Sequence, residues 1–250
     1  MGTSQSNPGP GGESPLVPPW ADDQPQESLP TPEPKRFKGF RQSLGSFVSS
    51  GDRNDLQRAI GHYARKATGG SGGAARRMGS VSKAGGSLFG TLNGIPAEPG
   101  EVRVNLDSLS GLPCELAISA ITNALTPENG DSDKIRIAMN HALAEALDGV
   151  EIFDSQSITD DVIIDTMISY LSESVFLQIV SDAGKAWNKA ETPIQAMRAE
   201  TELQELIKVV VDKHMAPNPI RDSEIKLCEK TIAFLSYFYG TTIFIFELSS

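Results

Sequence analysis

The chain is poor in the residues that build most metal and redox sites. Its 250 residues include two cysteines and three histidines. Cys114 and Cys228 lie far apart and outside any Cys-x-x-Cys pair, so neither a disulfide framework nor a zinc site is expected. His62, His141 and His214 are equally scattered and show none of the spacings of zinc-binding histidine motifs. We therefore expect reduced thiols and no bound metal.

Long apolar runs are also scarce. No stretch reaches the apolar length of a membrane span, and the longest candidate, near residues 232–248, is interrupted by Ser236, Gly240, Thr241 and Thr242. No membrane span is predicted from such a run. The first residues lack the basic and apolar regions of a secretory signal. The sequence therefore predicts a cytoplasmic protein that makes no membrane contact.

Motifs of the common enzyme classes are missing as well. The glycine-rich stretch 67–94 contains no GxxxxGK[ST] pattern and follows no apolar strand, so it is not predicted to hold phosphate. No GxSxG nucleophile motif occurs. Asp160 and Asp161 follow Thr159, as expected at a helix N-terminus, where the helix dipole favours acidic residues. We expect no enzymatic activity and no catalytic residue; a hydrolase built from dispersed acids is the weaker alternative.

The charges that are present divide the chain into three parts. Residues 1–34 carry five acids and no base, and residues 35–100 carry eleven bases and three acids. Residues 101–250 carry eleven bases and twenty-four acids, so the net charge is -10. The basic part can meet nucleic acid, an acidic partner, or the acidic part of the chain itself.

Composition and periodicity predict three regions and a mainly α fold. Residues 1–34 form a disordered, flexible leader rich in proline and glycine that ends in an apolar cluster, Leu16–Trp20. A basic, glycine-rich helical segment covers 35–100, and an acidic all-α domain covers 101–250. Within 35–100, residues 69–80 are predicted to be a flexible loop that leads into a helix tolerant of glycine and alanine.

Apolar residues at helical spacing carry these predictions. Two stripes in residues 35–66 indicate a helix pair. The stripes are Phe37, Phe40, Leu44, Phe47 and Val48, and then Leu56, Ile60 and Tyr63. Further helices are predicted over 112–125, 133–147, from 159 to about 180, over 194–215 and over 221–239.

The basic segment leaves a nucleic-acid interpretation open. Aromatic residues interleave with basic ones, as in many nucleic-acid-binding surfaces. The helical spacing of the aromatics indicates core positions instead. The candidates for nucleic-acid or partner contact are Arg65, Lys66, Arg76, Arg77 and Lys83.

Three blocks of sequence resemble the QatB family, the small subunit of the four-component bacterial Qat antiphage system. The first is the opening Met1-Gly-Thr-Ser with Pro-Leu-Val-Pro-Pro-Trp-Ala21. The others are Tyr63-Ala-Arg-Lys with Ala-Arg-Arg-Met-Gly-Ser80, and Gly86-Ser-Leu-Phe-Gly90. The resemblance covers mainly residues 1–95.

The resemblance implies a non-catalytic defence subunit with a QueC-like partner enzyme, QatC, and also an ATPase and a TatD-like nuclease. It implies that the QueC-like enzyme joins a deazaguanine to Gly2 after Met1 is removed, so the only cofactor-like group is that covalent one. Residues after Gly2 are expected to thread the partner's active site, and the apolar cluster is expected to dock outside it. These partner-binding candidates are Thr3, Ser4, Pro15, Leu16, Val17, Pro18, Pro19 and Trp20. The alternative is a nucleic-acid-binding adaptor that acts through residues 35–83.

Overall fold

The computed structural model describes residues 9–11, 13–22, 25–26 and 28–215. These residues are mainly α-helical, and the predicted fold class is confirmed. The described part of the leader forms turns, bends and irregular backbone. The described residues contain eight α-helices: α1 (Lys38–Ser50), α2 (Arg53–His62), α3 (Gly70–Arg77), α4 (Gly79–Leu92), α5 (Cys114–Leu125), α6 (Ser132–Ala146), α7 (Asp160–Ala183) and α8 (Pro193–Met215).

Shorter helical turns connect several of these helices. A π-helical turn, Tyr63–Ala67, continues α2, and a 3-10 turn, Gly184–Lys189, continues α7. Two further 3-10 turns cover Leu106–Leu109 and Ser155–Ser157. One isolated antiparallel β-bridge joins Pro113 to Ile152 within the described ranges.

The described residues form two compact units whose sequences interleave. The first takes in the described residues up to Gly79 together with Phe176–Val210, and the second takes in Ser80–Val175 and the end of α8 beyond Val210. The chain therefore does not divide at residue 100, where the charge changes sign. The last residues of α7 belong to the first unit because they pack with helices from the start of the chain.

The first unit is built around α1. Its predicted apolar stripe is buried, and α1 packs against α2 and the 3-10 turn Gly184–Lys189. Phe40 and Tyr63 meet with ring centroids 4.8 Å apart at an interplanar angle of 53°. α1 ends at Gly51, which is left-handed (φ 73°) and donates its N–H to the carbonyl of Phe47. The predicted helix pair is thus present in residues 35–66.

In the second unit α5 packs against α6 along their apolar faces. The interface side chains Ile121, Ile135 and Met139 are fully buried. The hydroxyl of Tyr170 on α7 donates to the carbonyl of Val81 at 2.8 Å. Burial raises the pKa of this phenol far above its usual value, so it stays protonated and serves as a donor.

The segment Asp160–Lys189 is long and apolar enough to cross a membrane by length and composition, unlike the expectation that no stretch reaches that length. However, 72% of its most apolar 18-residue window is buried inside the protein. Packing against the rest of the protein accounts for that apolar character, as it does for core helices of soluble proteins.

The predicted loop over residues 69–80 is absent, because α3 covers most of it and only Met78 separates α3 from α4. α4 is the helix that was expected to follow the loop. The prediction failed for α3 because glycine weakens an isolated helix, whereas here tertiary packing supplies the stability. The other predicted helices match α5, α6, α7 and α8 to within a few residues, and the helix predicted over 221–239 lies outside the described residues.

Replacing a buried isoleucine of α6 should destabilise the protein far more than replacing an exposed one. Ile135 is 0% exposed and Ile137 on the same helix is 53% exposed. We expect Ile135→Ala to lower the free energy of unfolding by about 2–5 kcal/mol, because it leaves a cavity. Ile137→Ala should change it by under about 1 kcal/mol. Chemical denaturation measures both, and equal effects would contradict this core assignment.

Candidate functional site

The described part of the leader is packed on the first unit. Leu16, Val17 and Ala21 are 3%, 6% and 2% exposed and form an apolar cluster, against which the partly buried Leu29 packs. The side chain of Leu16 fills a position that a side chain at Gly69 would occupy, since a Cβ there would lie 2.8 Å from Leu16 Cδ1. The apolar end of the leader therefore meets its binding surface within the same chain.

Four arginines hold the leader in place; we call Arg36, Arg41, Arg76 and Arg77 the arginine clasp. Arg36, just before α1, donates to two leader carbonyls, that of Ser14 at 2.6 Å and that of Pro15 at 3.0 Å. Its Nε donates to the carbonyl of Ala67 at 2.9 Å, which fixes the guanidinium against the body of the unit. Arg36 therefore binds the carbonyls of two successive residues of the leader.

Arg41 holds the N-terminal end of the described leader. One nitrogen donates to the carbonyl of Pro10 at 2.8 Å, and Nε donates to the backbone carbonyl of Asp182 at 2.9 Å. Gly9 lies directly against this contact in a left-handed conformation (φ 68°). A Cβ at Gly9 would come 2.6 Å from an Arg41 nitrogen and 3.1 Å from Gly184 Cα. This position therefore requires glycine for both its backbone angle and its close approach.

Arg77 connects the leader to a buried carboxylate. One nitrogen donates to the carbonyl of Leu16 at 3.1 Å, and another pairs with Asp182 at 2.7 Å. The side chain of Asp182 is 2% exposed, and it also accepts from the Tyr63 hydroxyl at 2.7 Å and from Gln178 at 3.2 Å. Such multiple hydrogen bonds are what a buried charge pair requires.

Arg76 binds the leader through a side chain. It donates to both carboxylate oxygens of Asp22, at 2.9 and 2.8 Å. This two-point pairing is the strongest geometry available to an arginine and a carboxylate. Arg76 and Arg77 occupy the last turn of α3, where the helix dipole favours cations. The last turn of α3 therefore supplies two of the four clasp residues.

Burial lowers the pKa of two clasp residues. Burial is the larger cause for Arg36, and the neighbouring charge of Arg77 lowers its pKa further, while Asp182 acts in the opposite direction. Burial likewise lowers the pKa of Arg41, and Asp182 again opposes the shift. Both guanidinium groups also lie over the ring of Phe37, at 4.7 and 4.9 Å from its centroid. Asp182 and this ring offset part of the cost of burying the cations together.

The structure divides the predicted partner-binding residues between the interior and the surface. Leu16 and Val17 point inward, so in this structure they contact the chain itself. Trp20 is 51% exposed and Pro19 is exposed, in a turn closed by the N–H of Ala21 on the carbonyl of Pro18 at 3.0 Å. Pro15 is exposed and Pro18 half-buried. The remaining candidates, Gly2, Thr3 and Ser4, lie outside the described residues.

The candidates for nucleic-acid contact are also divided. Arg65, Lys66 and Lys83 are exposed. Lys66 Nζ lies 3.8 Å from Glu33 Oε2 of the leader. Arg76 and Arg77 are buried and bind acceptors of the chain itself, contrary to the expected external role. Their neutralisation would therefore disturb the leader and the unit interior before it altered any surface charge.

Other clasp residues were missed by the sequence interpretation. The sequence interpretation includes Arg36 and Arg41 only in the basic segment proposed for nucleic-acid contact, and it pairs Asp22 and Asp182 with no base. The signal was the change from an acidic leader to a basic segment, together with the option that the basic part meets the chain's own acids. Which acid meets which base depends on the fold of the first unit.

Two features of the described residues bear on metal binding and on thiol chemistry. Among residues 9–11, 13–22, 25–26 and 28–215, no three His, Cys, Asp or Glu side chains group in a way that could hold a metal ion. Burial, with a smaller contribution from Glu115, raises the pKa of the Cys114 thiol. A thiol of this kind is a poor nucleophile at neutral pH.

A family model described as Qat anti-phage system associated protein QatB matches residues 69–235, about two-thirds of the sequence. The chain belongs to the QatB family. This QatB assignment rests mostly on residues beyond the blocks that carried the resemblance, and the leader lies outside the match. No curated protein and no solved structure matches the chain. Membership makes the protein a component of the Qat anti-phage defence system.

Gly9→Ala should release the N-terminal end of the leader. The new methyl group would clash with Arg41 and strain a left-handed backbone, at a cost of about 1–2 kcal/mol. Gly11→Ala is the matched control, because a Cβ there would meet Ser14 Oγ at an ordinary 3.8 Å. We expect amide hydrogen exchange of residues 9–16 to rise in Gly9→Ala alone. Equal exchange in both variants would contradict the Arg41 contact.

Asp182→Asn should destabilise the first unit strongly. The substitution leaves the Arg77 cation buried beside a neutral amide, and losing one partner of a buried pair costs about 3–5 kcal/mol. Asp133→Asn is the control, since its pair with Arg136 is exposed and should contribute under about 1 kcal/mol. Urea denaturation of both variants provides the comparison. Similar small shifts would show that Asp182 does not organise the clasp.

Proposed function

We propose that this QatB-family protein is a non-catalytic subunit of the defence complex and presents its N-terminal tail to a QueC-like partner. The partner, acting in the cytoplasm, docks on the leader and joins a deazaguanine to the α-amine of Gly2. The family places the protein in the Qat system, and the tail's role rests on the resemblance of residues 1–95 together with the clasp.

The observation that carries this proposal is the anchoring of the leader from Pro10 to Asp22. Because Arg41 binds the carbonyl of Pro10, the residues before it start from a fixed point on the protein. Seven residue steps separate Gly2 from Gly9, so the α-amine can reach at most about 25 Å from Gly9, which lies against Arg41. A partner that uses this amine therefore needs its active site within that distance of the clasp.

The proposed chemistry suits an N-terminal glycine. An α-amine has a pKa near 8, so a useful fraction is neutral and nucleophilic at neutral pH. The resemblance implies an enzyme that activates a carboxyl-bearing deazapurine with ATP. Attack by the amine nitrogen on that activated carbonyl forms an amide bond, the adenylate leaves, and the amine proton passes to solvent. Glycine offers the least steric hindrance to such an attack.

The exposed turn of the leader is the proposed docking point outside the partner's active site. Pro19 and Trp20 face solvent, and the buried Leu16 and Val17 fix the turn from beneath. Tryptophan is among the side chains enriched at the positions that contribute most to binding energy in interfaces. Thr3 and Ser4 would then pass through the entrance of the partner's active site.

The intact mass of the protein, purified with its QueC-like partner and without it, tests this proposal. We expect a mass increase of one deazaguanine group that maps to Gly2. An N-terminal extension should abolish it by removing the Gly2 amine, whereas the same extension at the C-terminus is the control and should not. Gly2→Ala keeps an α-amine and should be modified more slowly.

An unchanged mass with an active partner present would contradict the conjugation. Salt-sensitive binding of oligonucleotides that falls on neutralising the exposed Arg65, Lys66 and Lys83 would instead support the nucleic-acid adaptor. Binding of the partner that survives Trp20→Ala unchanged would contradict the docking role of the turn.

A further inference from the structure

The surface beneath the leader has the properties of a peptide-binding groove. The clasp presents four guanidinium groups, which can only donate hydrogen bonds. The leader presents acceptors to them: the carbonyls of residues 10, 14, 15 and 16 and one carboxylate. Two of these carbonyls belong to prolines, whose nitrogens carry no hydrogen. The donors of the groove and the acceptors of the leader are therefore complementary.

We propose that the arginine clasp and the pocket at Gly69 form a binding site for a proline-rich peptide. In this structure the ligand is the chain's own leader, and the same segment of a second copy can take its place. The proposal concerns the reversibility of leader binding and does not depend on conjugation at Gly2.

The space beside Gly69 is the pocket that gives the groove its selectivity. Leu16 Cδ1 and Cδ2 lie 2.8 and 3.0 Å from the position that a Cβ of Gly69 would take, and Gly69 is left-handed (φ 76°). Only a residue without a side chain leaves room there for a leucine. The preferred ligand thus carries a leucine one residue after a proline, followed six residues later by the carboxylate that Arg76 binds.

The leader is suited to act as a ligand rather than as part of the core. Its recorded internal backbone hydrogen bonds are local turns, such as Ser14 to Gly11 and Ala21 to Pro18. Its prolines restrict the unbound chain, which lowers the entropy lost on binding. Covalent attachment ahead of α1 keeps its effective concentration high, so modest intrinsic affinity suffices to keep the groove occupied.

A cleavable leader tests the proposal in the full chain. A specific protease site inserted between Pro30 and Thr31, both exposed, allows the leader to be cut after folding. A fluorescein-labelled synthetic peptide with the sequence of residues 9–22 is then added in excess. We expect saturable incorporation of the labelled peptide by fluorescence anisotropy, displaced by the unlabelled peptide, while the cut protein stays folded by circular dichroism.

Peptide variants supply the specificity controls without altering the protein. Leu16→Ala in the peptide should weaken binding at least about 10-fold, because it removes a buried side chain. Glu13→Ala truncates an exposed residue and should change binding under about 2-fold. Asp22→Asn should weaken binding to the normal protein, but have little further effect on an Arg76→Met protein.

Three results would contradict the proposed peptide-binding site. Absence of incorporation by cut, folded protein would show that the leader is a permanent part of the fold. Loss of helical structure once the leader is cut would show the same. Equal binding of the Leu16→Ala and Glu13→Ala peptides would overturn the proposed pocket. Modification of Gly2 can succeed or fail independently of each of these results.

Discussion

The carboxylate of Asp182 is the constraint on which the described site depends. It is buried at the end of α7, and it compensates the charge of Arg77 while accepting from Tyr63. The backbone carbonyl of the same residue binds Arg41. Two of the four clasp residues are therefore positioned by one residue that lies more than a hundred positions away in sequence. The position of the leader depends on that arrangement, because the arginines can bind the leader carbonyls only when their own side chains are held in place.

Much of the fold follows from the sequence, and much of the site does not. Helical spacing predicts α1 because Phe40, Leu44 and Phe47 must share one buried face, and the same logic holds for α5 to α8. It fails for α3, whose glycines form a helix only with tertiary support. The clasp was not predictable because charge counts show which residues are basic without showing which acids and carbonyls they meet. Leu16 and Val17 were correctly singled out as apolar, but the sequence does not show that their binding surface is internal.

The family match and the leader relate to different parts of this arrangement. Residues 69–235 include Arg76, Arg77 and Asp182, whereas Arg36, Arg41 and the leader precede them. The matched region thus provides the buried carboxylate and two of its cations, and the preceding residues supply the segment that is held. A defence subunit organised in this way keeps its body and its tail as separate sequence regions joined by a few strong polar contacts.

Recognition of the leader through carbonyls has a consequence for how its sequence can change. Peptide carbonyls are common to all residues, so the hydrogen bond to the Ser14 carbonyl does not depend on which side chain stands at that position. Gly9, Leu16 and Asp22 are different, because each is held by space or charge that few other residues satisfy. Positions that are held only through their carbonyls, such as Ser14, should therefore tolerate substitution, and the tail would still leave the protein from the same place.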